Sequence, residues 1–289
     1  MQILSNSIQV RELVQNGDAE NRSRVVVMTM GALHEGHLSL VAEAKNHGNE
    51  VWLTDFVNPL QFGPNEDYEN YPRDLKRDRE LAQGAGVDVF FAPKVEEIYP
   101  NPASLVTVNA GVGANILEGA SRPGHFNGVL TVVLKFLNLI QPRVAVFGQK
   151  DLQQLLLIKK MVADFNLPVE IVAAPIIRTE CGLAKSSRNV YLSENEQVDA
   201  LVLSKALNAG VQKANSGGKV SEVVTITRGI INYVSGVETD YVTVLDPVTM
   251  NVATDIFSGQ GYLLVAARVG KTRLIDNVEL QIQPSAVGS

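Results

Sequence analysis

Apolar residues along the first part of the chain occur in two alternating patterns. Short continuous apolar runs, such as residues 25–28, are typical of buried strands. Between them lie stretches in which apolar residues recur at helical spacing, as in residues 37–48, where Gly48 is a plausible end of a helix. A further strand is predicted from Val51. Strands that alternate with helices indicate right-handed βαβ units on a parallel sheet.

The same alternation continues to about residue 176. The further predicted elements are a polar helix over residues 74–83, a strand from residue 87, a long apolar helix over 128–141, a strand over 143–148, a helix over 151–165 and a strand over 169–176. We therefore predict an α/β fold with a Rossmann-like, doubly wound parallel sheet in residues 1–176.

The pattern changes after residue 176. Ser193 and Glu196 have the spacing of a capping box, which predicts a helix from there to about residue 215. A second helix is predicted over about 221–234, and three short strands then begin near residues 241, 262 and 272. The GKT sequence at 270–272 lies between two of these strands and is predicted to be a hairpin turn, not a P-loop. We predict a smaller α+β domain, residues 177–289, that closes over the active site.

Composition narrows the class of protein. The 289 residues are 45% hydrophobic and 19% charged, as in soluble globular proteins. A formal net charge of −6 argues against nucleic acid or an anionic membrane as a partner. Cys181 is the single cysteine, which excludes an intrachain disulfide and a cysteine-built zinc site. We see neither a signal peptide nor a membrane-spanning run, and we expect a cytoplasmic protein.

The first candidate site follows the first predicted strand, in TMGALHEGH at residues 29–37. Open α/β sheets bind ligands at the carboxyl ends of their strands. His34 and His37 stand where a helix begins, and its free N–H groups and dipole favour phosphate. Their imidazoles could neutralise charge on a departing pyrophosphate. The alternatives are a turn residue beside a surface residue, or a zinc site, for which no third ligand stands out nearby.

Two further segments carry candidate substrate contacts. In VNPLQFG, residues 57–63, the amides of Asn58 and Gln61 suit a carboxylate that also bears hydroxyls. In EGASRPGHFNG, residues 118–128, Arg122 and His125 could face a substrate. An ion pair between Arg122 and Glu118 is an equally good interpretation.

Two more segments suit a nucleotide. In FGQKDLQQL, residues 147–155, Lys150 is a charge for phosphate, and Asp151 suits ribose hydroxyls or caps the helix. Gln154 lies on a similar helical face. In GLAKSSRN, residues 182–189, two hydroxyls between two cations predict either a phosphate clamp or a solvated linker.

Together these segments, in this order, resemble the pantothenate synthetases, the pantoate–β-alanine ligases. YPRDL at residues 71–75 and LIDN at 274–277 extend the resemblance over nearly the whole chain. HEGH and KSSR are also similar, more distantly, to the paired phosphate-handling signatures of the HIGH-motif nucleotidyltransferase superfamily.

The resemblance implies two half-reactions. ATP and pantoate give enzyme-bound pantoyl adenylate and pyrophosphate, with Mg²⁺, and β-alanine then attacks to give pantothenate and AMP. It also implies a homodimer joined through the N-terminal domains. The binding partners of the protein, apart from its second copy, would be small molecules alone.

The resemblance also implies roles for individual residues. ATP would be bound by Met30, Gly31, His34, His37, Gly148, Lys150, Asp151, Ile177, Lys185, Ser186, Ser187 and Arg188. Catalysis would fall to His37, the usual proton donor, with His34, Lys150 and Arg188. Pantoate would be held by Gln61 and Gln154, with Asn58, Arg122 and His125 as further substrate contacts. Asp78 would contribute to the magnesium shell.

Three residues depart from the family pattern. Met28 stands where proline is usual, Asp55 where an uncharged residue is usual, and Lys185 where an aliphatic residue is usual. A carboxylate within a strand, as at Asp55, would need a partner. Two other functions are compatible with the phosphate motifs, namely a nucleotidyltransferase of the same superfamily and a non-catalytic nucleotide-binding regulator. The paired glutamines, Gln61 and Gln154, favour the ligase.

Overall fold

The computed structural model describes residues 1–19, 22–64, 66 and 68–284 of the chain. The chain divides into two compact units. The first consists of Met1–Gln149 with Gln153–Pro175, and the second of Lys150–Leu152 with Ile176–Ser289. Each unit has its own hydrophobic core. The short Lys150–Leu152 segment therefore belongs by its contacts to the second unit, although it lies within the sequence of the first.

The first unit contains a six-stranded sheet in which all the paired strands are parallel. Its strands are β1 (Gln2–Leu4), β2 (Arg24–Thr29), β3 (Glu50–Asp55), β4 (Val89–Phe91), β5 (Val144–Gly148) and β6 (Glu170–Ala174), in the order β1-β4-β3-β2-β5-β6. The predicted Rossmann-like α/β class is confirmed. β1 was not predicted.

Helices flank this sheet. They are α1 (Ser7–Ala19), α2 (Glu35–Ala44), α3 (Leu75–Gly84), α4 (Val95–Ile98), α5 (Glu118–Ser121), α6 (His125–Ile140) and α7 (Leu152–Asp164). One core forms where α2 and α3 bury small apolar side chains, such as Val41 and Ala82, against alternate strand residues such as Val27 and Leu53. None of the helices in the described part of the chain is long and apolar enough to cross a membrane.

The register of the sheet places the site. Thr29 at the end of β2 pairs with Asp55 at the end of β3, and β5 lies on the other side of β2. The segments that follow β2 and β3 therefore leave the same edge of the sheet, as expected for ligand-binding loops of a parallel sheet.

The second unit contains two helices and an antiparallel sheet. Its elements are α8 (Glu194–Asn215), α9 (Val220–Asn232), β7 (Val237–Leu245), β8 (Gly259–Val269) and β9 (Thr272–Ile282). The predicted α+β character is confirmed. Ser193 and Glu196 form the predicted capping box, with the Ser193 hydroxyl accepting from the Glu196 N–H. Gly270 turns the β8–β9 hairpin with a φ of +56°, so the GKT sequence is a hairpin turn, as predicted.

Candidate active site

The loop between β2 and α2 is shaped by a buried carboxylate. Gly31 and Ala32 have φ values of +78° and +50°, and this left-handed backbone turns successive N–H groups toward one side. The N–H groups of Ala32 and Leu33 donate to the two oxygens of Asp78, at 2.8 and 2.7 Å. Asp78 is only 1% exposed. It therefore holds the loop in place from α3.

Glycine is required at position 31. A Cβ atom there would lie 2.5 Å from Oδ1 of Asp55 and 3.1 Å from Oδ2 of Asp78. The two carboxylates thus approach the same face of the loop backbone. Burial raises the pKa of Asp55 to about 6; the charge of Asp78 adds to this effect and Arg79 opposes it. The unusual carboxylate at position 55 is therefore part of the wall behind the loop.

The two histidines meet at the start of α2. His34 caps the helix, and its Nδ1 accepts from the Gly36 N–H at 3.0 Å. The ring centroids of His34 and His37 are 4.1 Å apart, with 36° between the planes. Because Nδ1 of His34 accepts, the neutral ring carries its proton on Nε2, which is a donor. The predicted placement of both histidines at a helix N-terminus is confirmed.

A second loop brings the Gln61 amide to the first. Gln61 ends a 3₁₀ turn, Pro59–Gln61, and its Nε2 lies 2.9 Å from the sulfur of Met30. Nδ2 of Asn58 donates to Oε1 of Gln61 and to the carbonyl of Gly128, both at 3.1 Å. Asn58 is 1% exposed, and its Oδ1 accepts from the Tyr99 hydroxyl at 2.8 Å. The structure thus brings Met30, Asn58 and Gln61 together, with Asn58 orienting the Gln61 side chain.

The main chain of Gln61 is held by the residues predicted from the EGASRPGHFNG segment. Nδ1 of His125 donates to the Gln61 carbonyl at 2.8 Å, and Nη1 of Arg122 lies 3.1 Å from Nε2 of the same ring. Arg122 forms a bidentate pair with Glu66, at 2.7 and 2.6 Å. The hydrogen bond from Arg122 lowers the pKa of the Glu66 carboxyl. In this arrangement Arg122 and His125 support Gln61. The carboxylate that pairs with Arg122 is Glu66, which is distant from it in the sequence.

Gly128 allows helix α6 to approach the same turn closely. A Cβ atom at Gly128 would lie 2.2 Å from the carbonyl oxygen of Leu60 and 2.6 Å from the backbone nitrogen of Gln61. Only a glycine fits at this distance. The position of Gln61 therefore depends on a backbone contact with α6 as well as on hydrogen bonds.

Sequence reasoning missed Gln153. It is 2% exposed, and its Nε2 donates to the carbonyls of Gly113 and Ile116, both at 2.9 Å. Its Oε1 accepts from the Glu118 N–H at 3.0 Å. Gln154, the predicted pantoate ligand, is only half-buried. The sequence signal that could have identified Gln153 is a polar residue on the apolar side of α7.

In the second unit, a short hairpin carries several of the predicted nucleotide contacts. Arg178 and Ala184 form an antiparallel bridge, and the Lys185 N–H donates to the Ile177 carbonyl at 2.8 Å. Cys181 is exposed in the turn of this hairpin. Ser186 then caps the 3₁₀ helix Ser187–Tyr191, in which Ser187 and Arg188 are exposed. The hairpin thus joins the backbone of Ile177 to the KSSR sequence.

The described residues contain no group of three or more His, Cys, Asp or Glu side chains that could hold a metal ion. Mg²⁺ commonly binds through one or two carboxylates together with substrate phosphates and water. Asp78 is the carboxylate beside the loop between β2 and α2, but it is 1% exposed and each of its oxygens already accepts one N–H, so the contacts seen here serve the loop. The magnesium role of Asp78 stays a prediction.

A parallel sheet whose central strand leads to paired histidines at a helix N-terminus defines a Rossmann-like protein suited to a phosphate-bearing ligand. The family profile described as Pantoate-beta-alanine ligase matches residues 2–279. The chain therefore belongs to the pantoate-beta-alanine ligase family and is an enzyme of the ligase class. The resemblance inferred from the motifs is confirmed.

Individual relatives agree over most of the chain. A pantothenate synthetase of Thermobifida fusca is 51% identical over 266 residues, which is 89% of each chain. The crystal structure of pantothenate synthetase from Thermus thermophilus superposes with a TM-score of 0.88 at 44% identity, covering 98% of this chain and 100% of that one. A Francisella tularensis pantoate-beta-alanine ligase, described as complexed with beta-gamma ATP and beta-alanine, gives a TM-score of 0.74 at 35% identity, with 96% and 97% coverage.

Proposed function

We propose that this enzyme condenses pantoate with β-alanine through a pantoyl-adenylate intermediate, releasing pyrophosphate and AMP. One observation carries the proposal. The loop between β2 and α2 presents two histidines at a helix N-terminus, while its Met30 contacts the amide of Gln61. Groups suited to a polyphosphate thus lie on one short loop, and a group suited to a hydroxy acid reaches the same loop from the Pro59–Gln61 turn.

The histidines are proposed to act on the phosphates of ATP. The N-terminus of α2 favours an anion, and Nε2 of His34 is a donor beside the ring of His37. The bound ligands described for the Francisella relative support ATP and β-alanine as substrates. A carboxylate is a poor electrophile until one of its oxygens leaves as AMP, so alignment and charge neutralisation at phosphorus are what the site must supply.

Pantoate is proposed to bind the amides of Gln61 and Gln154. A neutral amide both donates and accepts, which suits a carboxylate and a hydroxyl on the same molecule. Asn58 orients the Gln61 side chain, and Arg122 and His125 fix its main chain. We propose that these three residues serve the substrate by holding Gln61.

The remaining ATP contacts carry over from the resemblance. We propose that the nucleotide also contacts Met30, Gly31, Gly148, Lys150, Asp151, Ile177, Lys185, Ser186, Ser187 and Arg188. Mg²⁺, held mainly by phosphate oxygens with Asp78 nearby, would neutralise charge on the triphosphate. The homodimer and the cytoplasmic location stay predictions.

The order of events tests the mechanism. With ATP and pantoate but no β-alanine, the enzyme should release one burst of pyrophosphate. His37→Ala should slow that burst on the order of 100- to 1000-fold, because one preorganised donor to a developing oxyanion is lost. It should change little in the attack of β-alanine on adenylate supplied ready-made. Rapid-quench measurement of each half-reaction separates these steps.

His47→Ala is the matched control. His47 follows the same helix and pairs with Glu43 at 2.9 Å, away from the cap. It should leave both half-reactions unchanged. A His37→Ala enzyme with an intact burst and a crippled second step would show that His37 serves amide formation instead. A nucleotidylated product in place of AMP would favour the transferase, and unchanged ATP would favour the regulator.

A further inference from the structure

Two adjacent buried residues of β9 hold two different segments of the second unit. Asp276 and Asn277 are each 3% exposed. Successive residues of a strand point to opposite faces of the sheet, so the two side chains reach different neighbours. Neither contact belongs to the antiparallel pairing of β8 with β9, in which Asp276 lies opposite Val265.

Asp276 binds the hairpin that carries Ile177 and Lys185. Its two oxygens accept from Nη1 and Nη2 of Arg178 at 2.6 and 2.9 Å. Nη1 of Arg178 also donates to the carbonyl of Gly182 at 3.1 Å, across the turn of the hairpin. A bidentate pair fixes orientation as well as distance. The pair therefore sets the position of the hairpin on the sheet.

Asn277 binds the other nucleotide segment of this unit. Its Nδ2 donates to the main-chain carbonyl of Lys150 at 3.0 Å. Lys150 lies in the 3₁₀ turn Gln149–Asp151, which opens α7. The side-chain amide of Asn277 thus fixes the backbone from which Lys150 and Asp151 project.

We propose that Asp276 and Asn277 are positioning residues for ATP. Asp276 acts through Arg178 on the Ile177–Lys185 hairpin, and Asn277 acts on the Lys150 main chain. The proposal rests on the proposed function for its ligand, since it assigns ATP to these segments. It adds that one dipeptide of β9 sets both of them, without itself contacting the nucleotide.

The test is the affinity for an ATP analogue. We would measure binding of α,β-methylene-ATP by isothermal titration calorimetry, and separately the KM values for ATP and pantoate. Asn277→Ala removes the hydrogen bond to the Lys150 carbonyl and should weaken analogue binding about three- to tenfold. The KM for ATP should rise in parallel, while the KM for pantoate stays unchanged. A merely structural role would lower the active fraction or raise both KM values together, without this split.

Two further variants complete the design. Glu279→Ala, on the same strand but exposed, should bind the analogue as the wild type does. Arg178→Lys keeps the positive charge but loses the two guanidinium N–H donors that bind Asp276. It should therefore also weaken binding of the analogue and leave the KM for pantoate unchanged. If Asn277→Ala shows no thermal unfolding transition and so does not fold, Arg178→Lys tests the proposal instead. The criterion is the same, namely weaker analogue binding with an unchanged KM for pantoate.

The outcomes separate this proposal from the proposed function. If the wild type binds the analogue and a folded Asn277→Ala or Arg178→Lys binds it equally well, the positioning role is overturned and the ligase mechanism stands. If the KM values for ATP and pantoate rise together, the residues are structural only, and the proposal is again overturned. If the wild type itself does not bind the analogue, the proposed function fails and this inference fails with it.

Discussion

Asp55 places an ionisable carboxyl at the end of β3, behind the loop that carries the histidines. Burial, helped by the charge of Asp78, raises its pKa from 3.8 to about 6. An acid whose pKa is raised on folding is more easily protonated in the folded protein than in the unfolded chain. Its contribution to stability therefore becomes less favourable as the pH rises through 3.8 to about 6.

Replacing this carboxyl by a neutral amide should stabilise the protein at neutral pH. We expect Asp55→Asn to raise the free energy of unfolding by about 1–3 kcal/mol at about pH 7.5, and by almost nothing near about pH 3.5. Urea denaturation without ATP and with a chelator would measure both values.

A carboxylate with the opposite shift serves as the control. The backbone N–H and the hydroxyl of Ser221 bind Asp255 and lower its pKa. The stabilising effect of the Asp255 carboxylate is present at neutral pH and is lost as the pH falls. Asp255→Asn should therefore lower the free energy of unfolding at neutral pH. Equal stability of Asp55→Asn and wild type at both pH values would contradict the burial of Asp55.

Neighbouring glutamines of α7 should behave differently. Gln154→Ala should raise the KM for pantoate about two- to tenfold, since a neutral hydrogen bond is lost, and leave the KM for ATP unchanged. Gln153→Ala should instead cost about 1–3 kcal/mol of stability, because the buried Gln153 amide is lost and three partly buried backbone groups lose their partner. Steady-state kinetics and denaturation together would distinguish them. Equal changes in both KM values for Gln154→Ala would argue against the pantoate assignment.

At the scale of elements, the close contact between α6 and the Pro59–Gln61 turn predicts the effect of a substitution at Gly128. Alanine normally stabilises a helix relative to glycine, but Gly128→Ala would force a Cβ atom against the Leu60 carbonyl. We expect a loss of about 1–3 kcal/mol of stability and a higher KM for pantoate, as Gln61 is displaced.

The chain offers a matched control for this substitution. Gly229 lies within α9, and a Cβ atom there would meet nothing within 4 Å. Gly229→Ala should therefore raise stability by about 0.5–1 kcal/mol. Thermal unfolding of the two variants would show opposite shifts. If Gly128→Ala were instead more stable than the wild type, α6 would not be in close contact with the Pro59–Gln61 turn.

The elements with strong local signals were predictable from the sequence. The apolar run of α6 and the capping box of α8 are examples, and both were predicted. β1 has only three residues, too few for a pattern, and was missed. The contacts that shape the site were also missed, because they join distant positions. Nothing near Arg122 in the sequence points to Glu66, and nothing near Asp78 points to the N–H groups of Ala32 and Leu33.

For the whole molecule, binding of ATP should stabilise the folded state. A ligand that binds only the folded protein adds about 2.7 kcal/mol at one hundred times its Kd. We therefore expect α,β-methylene-ATP to raise the thermal midpoint by several degrees, in proportion to the logarithm of its concentration. Differential scanning calorimetry would measure this. An unchanged midpoint at saturating analogue would contradict the ATP assignment.

The exposed thiol in the Arg178–Ala184 hairpin has a practical consequence. Cys181 is the single cysteine of the sequence, so a maleimide fluorophore would attach at one known atom without any engineered background. The hairpin also carries Ile177 and leads into the KSSR sequence, so the dye would report on the segment expected to meet the nucleotide. The native sequence therefore already provides a single attachment site for a dye, as stopped-flow and single-molecule fluorescence experiments require.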